Sequence, residues 1–96
     1  MNLAMSARSA RPAGTGEVQT QVLFFGRVGD RLGRSATVAI PAEGCALSDL
    51  RARLAASLEG AAEALSAAGV RAAVDQFMAA GDVWIRPGAE VAFFSA

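Results

Sequence analysis

A chain of 96 residues has room for one domain with a single modest core. It carries nine basic residues, all Arg, against nine acidic ones and no His, and the Arg are scattered rather than gathered into a stripe. This excludes the commonest general base and metal ligand, Schiff-base lysine chemistry, the phosphate-cradling lysine of a P-loop, and a basic nucleic-acid footprint.

Residues 1–20 are poor in large apolar side chains and rich in Ala, Ser, Arg and Gly, with Arg8 and Arg11 preceding the first acid, Glu17. The segment reads as a disordered leader, or as the result of an upstream start codon, ahead of a domain spanning 21–96; its composition faintly resembles a transit peptide, and it has no apolar core suited to secretion. No apolar run reaches membrane-span length, so no membrane partner is expected.

From Gln21 the pattern changes. Gln21-Val22-Leu23-Phe24-Phe25-Gly26 is a continuous apolar run, the mark of a strand buried on both faces, or on one face and in an interface. Val28 and Leu32 then recur at helical spacing before Gly33, which predicts one short helical turn. Ser35 to Ile40 alternates and stops at Pro41, a second strand forming a hairpin with the first.

Cys45 is the sole cysteine, which rules out an internal disulfide and fits a reducing compartment. Without His or Lys to activate it, Cys45 reads as a small half-buried residue rather than a nucleophile. Leu47, Leu50, Leu54 and Leu58 recur at three and four, predicting a helix with one apolar stripe turned to the core. Asp49 suits its first turn, but Ala46 and Leu47 are poor caps, leaving Ser48 or an unassisted start. Gly60 breaks this helix, and Ala61 to Ala68 forms a second one ended by Gly69.

Beyond Gly69, Val70, Ala72 and Val74 alternate with Arg71, Ala73 and Asp75 as a strand. A Gly81-Asp82 turn, a Val83-Trp84-Ile85 strand, a type II turn at Pro87-Gly88 and a last strand over Val91 to Phe94 follow. The expected fold class is α+β: a roll with a mixed sheet, its apolar first and last strands central and a helix packed across one face. That order is the β-grasp, or ubiquitin-like, arrangement.

Several segments in order carry a resemblance. They are Val22-Leu23-Phe24-Phe25-Gly26-Arg27-Val28, the helix start Leu50-Arg51-x-x-Leu54, Val70-Arg71-Ala72-Ala73-Val74-Asp75-Gln76, and Arg86-Pro87-Gly88-Ala89-Glu90-Val91-Ala92-Phe93-Phe94. Together, over Gln21 to Ser95, they resemble the small-subunit family of molybdopterin synthase, ubiquitin-like sulfur carriers. The resemblance implies a flexible Gly-Gly tail whose carboxylate an ATP-using adenylating enzyme activates, and which then becomes a thiocarboxylate. The large synthase subunit takes up that tail and catalyses sulfur transfer to a cyclic pyranopterin phosphate. The implied protein is a cytoplasmic, non-catalytic carrier that binds no cofactor itself, works in molybdenum cofactor biosynthesis and joins its partner as a heterotetramer.

The chain departs from the family at its end. Only Ser95 and Ala96 follow Phe94, about four residues, or roughly 13 Å of extended chain, short of the family's tail. No residue is therefore nominated for the thiocarboxylate, and the expectation is an incomplete chain rather than a version that has lost the chemistry. The docking surface transfers more directly. Phe24, Phe25, Phe93 and Phe94 are the candidate partner-binding residues, with one of each adjacent pair turned into the core because strand neighbours point to opposite faces. Phe77, Met78 and Trp84 belong to either set, with Arg71 and Arg86 at the rim. Two other readings stay open: a non-conjugating ubiquitin-like interaction subunit, and a thiamin-thiazole sulfur carrier, against which the Val91-Ala92-Phe93-Phe94 ending counts.

Overall fold

The computed structural model describes residues 16–95. The leader reading over 1–15 lies outside the described residues, whereas 17–20 belong to the first strand. That strand, β1 (Glu17–Gly26), leads into a short helix, α1 (Arg27–Leu32), and returns as β2 (Ser35–Pro41). The pair is the expected hairpin, antiparallel from Glu17↔Pro41 to Leu23↔Ser35. The strand starts earlier than Gln21 because polar Glu17, Gln19 and Gln21 alternate with Val18, Thr20 and Val22, and the pairing with β2 continues through them.

A short strand, β3 (Cys45–Ala46), feeds the long helix α2 (Leu47–Ser57), which is followed by α3 (Ala61–Ser66). Four strands complete the chain: β4 (Arg71–Val74), β5 (Phe77–Met78), β6 (Trp84–Ile85) and β7 (Val91–Ser95). The main sheet is mixed, with five strands in the order β2-β1-β7-β4-β5, while β3 and β6 form a separate pair. β7 lies parallel to β1, from Val22↔Val91 to Gly26↔Ser95, and antiparallel to β4. First and last long strands therefore share the middle of the sheet.

Helices cover one face only. Thr20, Val22 and Phe24 of β1, Val38 and Ile40 of β2, Ala72 of β4, and Val91 and Phe93 of β7 are buried beneath Leu47, Leu50 and Leu54 of α2 and Ala61, Ala64 and Leu65 of α3. Leu58 packs against this core only partly, since it stands just past the last helical turn in an extended conformation. The Phe24 and Phe93 rings stack with centroids 6.3 Å apart. Of the two readings of this run, burial on both faces does not hold and burial on one face does: Phe25 is 53% exposed, and no helix of the described residues crosses the other side of the sheet.

The start of α2 depends on a distant residue. Neither Ala46 nor Ser48 supplies a side-chain cap. Instead the Asp82 carboxylate accepts from the Ser48 backbone N–H at 2.7 Å and from the Ser48 hydroxyl at 2.7 Å, and the Val83 carbonyl accepts from the Leu47 N–H at 2.8 Å. Two of the four N–H groups that a helix start leaves unpaired are thereby satisfied across the β5–β6 connection. Arg53 ties the same helix to the hairpin, bonding Asp49 at 3.1 Å, Glu17 at 3.3 Å and the Ala39 carbonyl at 3.1 Å.

Two turns differ in legibility. Pro87-Gly88 forms the predicted turn: Ala89 N–H donates to the Arg86 carbonyl at 3.0 Å and Gly88 has φ 85°, as position i+2 of type II requires. The β4–β5 hairpin was not expected, because its two-residue loop is Asp75-Gln76, with φ 52° and 71° and no glycine. Asp75 holds the loop through its side chain, which accepts from the Glu90 N–H at 3.0 Å, and its own N–H donates to the Glu90 carbonyl at 2.8 Å.

The hydrogen bonds from Ser48, side chain first and backbone second, lower the pKa of Asp82. A carboxyl whose pKa falls on folding adds stability above its ordinary value, about 3.9, and loses that contribution as pH falls through the lowered one. Asp82→Ala is expected to lower the urea midpoint at pH 7, with the gap to the parent narrowing steadily below about pH 4. A gap of equal size at pH 7 and pH 3 would show that the carboxylate does not cap the helix.

Candidate functional site

The candidate surface grows out of strand parity. Paired residues in neighbouring strands share a face, so Phe24, Phe93 and Ala72 fall on the helix side, and Phe25, Phe94 and Arg71 on the other. Phe24 is 3% exposed and Phe93 is fully buried, so both serve the core and are withdrawn from the candidate partner-binding set. Phe25 is exposed and Phe94 half-buried, and both stand on the uncovered face. With Ala73 and Ala92 they line a shallow hollow of about 280 Å³, edged by Gln76 and Glu90. Leu23 and Ala92 pair in the next rung on the same side.

Phe77, Met78 and Trp84 are all exposed, at 77%, 52% and 58%. Phe77 opposes Val74, whose rung continues through Val91 to Val22, so it emerges at the edge of the helix-covered side rather than on the open one. Trp84 lies on the small β3–β6 pair, where its indole N–H donates to the Glu43 carbonyl at 3.3 Å. The structure thus brings Phe25 and Phe94 together and leaves Trp84 on another element. Arg71 stands beside the hollow in register with Phe94, whereas Arg86 lies in the turn before β7.

The end of β7 is held more tightly than its sequence implies. Gly26 pairs with Ser95 at φ 71°, and a Cβ added to Gly26 would sit 1.8 Å from the Ser95 carbonyl oxygen. Only glycine permits that approach. The Ser95 hydroxyl accepts from the Val28 backbone N–H at 3.1 Å, a bond between residues 67 positions apart that joins α1 to the last strand. Sequence reasoning assigned Ser95 to a tail, yet it forms the final rung of the sheet; Ala96 lies outside the described residues. A Gly following the apolar run of β1 was the available signal, but only the β1–β7 register gives it meaning.

Cys45 is 4% exposed, more buried than expected, and that burial, reinforced by the Asp49 carboxylate, pushes its thiol pKa up and away from thiolate reactivity. No group of metal-ligating side chains occurs among the described residues, and none of their helices is long and apolar enough to cross a membrane. No protein-family model matches this chain, and no curated protein matches it in sequence.

Gly26→Ala is expected to prise the last rung of β7 from β1. Amide exchange at Val28 and Ser95 should accelerate at least tenfold, while that at Leu50 and Leu54 in α2 changes little. Unchanged exchange at Ser95 would mean that the close approach is not a constraint on this end of the sheet.

Proposed function

We propose that the chain is a β-grasp sulfur carrier, the small subunit of a molybdopterin synthase. The observation that carries this reading is the strand order β2-β1-β7-β4-β5, with β7 parallel to β1 and α2 across one face. Central first and last strands with a helix across one face are what the β-grasp expectation called for, and the observed sheet is consistent with it. In such a carrier the protein supplies a docking surface and an extended tail, while the adenylating enzyme and the large subunit supply the catalytic groups. The open face around Phe25 and Phe94 suits the first role, since an uncovered aromatic patch flanked by polar residues is the kind of surface that partners occupy.

β7 leaves the sheet centre with its last residue fixed to α1 by the Ser95–Val28 hydrogen bond. Ser95 is therefore held in place at the end of the sheet, one residue beyond Phe94 of the docking face. The sequence contains no Gly-Gly pair, so the carrier reading requires a working protein that continues past Ala96. On this reading the protein acts in the cytoplasm, binds no cofactor, draws on ATP only through its activating enzyme, and assembles two-plus-two with the large subunit.

Two measurements test the proposal. Intact mass and C-terminal peptide sequencing of the protein from its native cells should show an end extended to Gly-Gly, a fraction of it bearing one sulfur in place of oxygen. An end at Ala96 would sink sulfur transfer and leave a partner-binding ubiquitin-like domain. Separately, Phe25→Asp and Phe94→Asp should each weaken binding to a recombinant large subunit about thirtyfold or more, the scale of a ~2 kcal/mol hot spot. Far-UV dichroism of the Phe25 variant should match the parent, and parental affinity in both variants would remove this face from the interface.

A further inference from the structure

On the helix-covered side, a second cavity lies between the N-terminal turns of α2 and the start of β4. Its volume is about 470 Å³, and its walls include Leu47, Arg51, Val70, Met78 and Asp82. That is within the range of small-molecule pockets, roughly 300–1,000 Å³. It is separate from the docking hollow, with which it shares no lining residue.

Arg51 is the unusual member. It is partly buried, with its guanidinium carbon 5.4 Å from the centre of the Phe93 ring. Its Nε is sealed from solvent and has no hydrogen-bond partner among the described residues. The ion pairs of the described residues engage Arg31 and Arg53, not Arg51. The sealed Nε is out of reach from the cavity, so an incoming acceptor meets the terminal nitrogens of the guanidinium, which no ion pair of the described residues engages. The Phe93 ring is itself buried in the core, and at this distance it lies within cation–π range of the guanidinium.

Asp82, the acidic residue of the same wall, does not fill the role. Its carboxylate is hydrogen-bonded to the Ser48 N–H and hydroxyl at the start of α2, and the Arg51 charge acts on it only through space, with no ion pair between them. Arg51 thus lines a cavity together with the apolar Leu47, Val70 and Ala72.

We propose that this cavity binds a small oxyanion, a carboxylate or phosphate carrying a short apolar stem, with Arg51 as its principal ligand. The anion accepts from the guanidinium fork, and the stem lies against Leu47, Val70 and Ala72. This site is independent of the carrier reading, since neither the docking hollow nor the end of β7 contributes to it.

The test titrates the full ¹⁵N-labelled chain with inorganic phosphate and, separately, with butyrate, following backbone amides and the arginine Nε–H signals. Saturable shifts centred on Arg51, Ser48, Ala72 and Gly81 are expected, and the tighter of the two probes identifies the class of anion. Arg51→Met, which keeps the apolar stem but removes the fork, should weaken binding at least tenfold, about 1.4 kcal/mol. Arg86→Met, in a turn outside the cavity, should leave it unchanged. Linear shifts spread over Arg27, Arg34 and Arg86 would overturn the proposal, as would an Arg51→Met affinity within twofold of the parent. Should Arg51→Met fail to fold, the parental shift map decides alone: saturation at the cavity supports the site and its absence refutes it.

Discussion

The fold depends on the parallel pairing of β1 with β7. Every other element is placed by it: β2 adds to the outer edge of β1, β4 adds to the far edge of β7, and α2 covers the ridge of side chains that the central strands present. The pairing joins Val22 to Val91 and Gly26 to Ser95, so its rungs close a loop that includes most of the domain. Contacts of that separation form only after the chain has lost much of its freedom, and their reward is collected late. Burial at the junction supplies it. Val22, Phe24, Val91 and Phe93 are all nearly or fully buried, so the strands that are hardest to bring together also hold the densest apolar surface.

A second long-range contact then fixes the helix. α2 has no cap in its own sequence neighbourhood, and a helix of eleven residues is marginal alone. Asp82 supplies the cap from beyond β5, while Val83 takes the Leu47 N–H, and the β3–β6 pair continues the same contact through Cys45↔Ile85 and Ala46↔Trp84. The long connection over 79–90 is thus anchored to the helix start at one end and to β7 at the other. Ala79, Gly81 and Asp82 of this connection form one wall of the cavity that Arg51 also lines.

Elements whose cause is local were legible in the sequence. The leucine spacing announced α2, alternation announced β2, and Pro87-Gly88 announced its turn, since each signal lies within a few residues of its effect. Elements whose cause is tertiary were not. The Asp75-Gln76 turn carries no glycine and is held by contacts with Glu90. β3 is too short to show any periodicity and exists only because β6 lies beside it. The candidate face was half legible for the same reason. Alternation guarantees that adjacent phenylalanines part company, but which of each pair turns inward is settled by the side on which α2 packs.

That division separates the energetics of folding from those of recognition. In both Phe24-Phe25 and Phe93-Phe94 the first ring is spent on the core and the second is left on the open face, one residue apart. A partner that covers Phe25 and Phe94 therefore rests on backbone already fixed by the burial of Phe24 and Phe93, and needs little ordering on association. Gly26 and Ser95 extend the same economy to the end of the sheet. By admitting the Ser95 carbonyl at a distance no side chain tolerates, Gly26 lets β7 run its full length beside β1, and the Ser95 hydroxyl then locks onto α1. The place of Ser95 at the end of the sheet is thus a property of the core, fixed by the same burial that holds β1 beside β7.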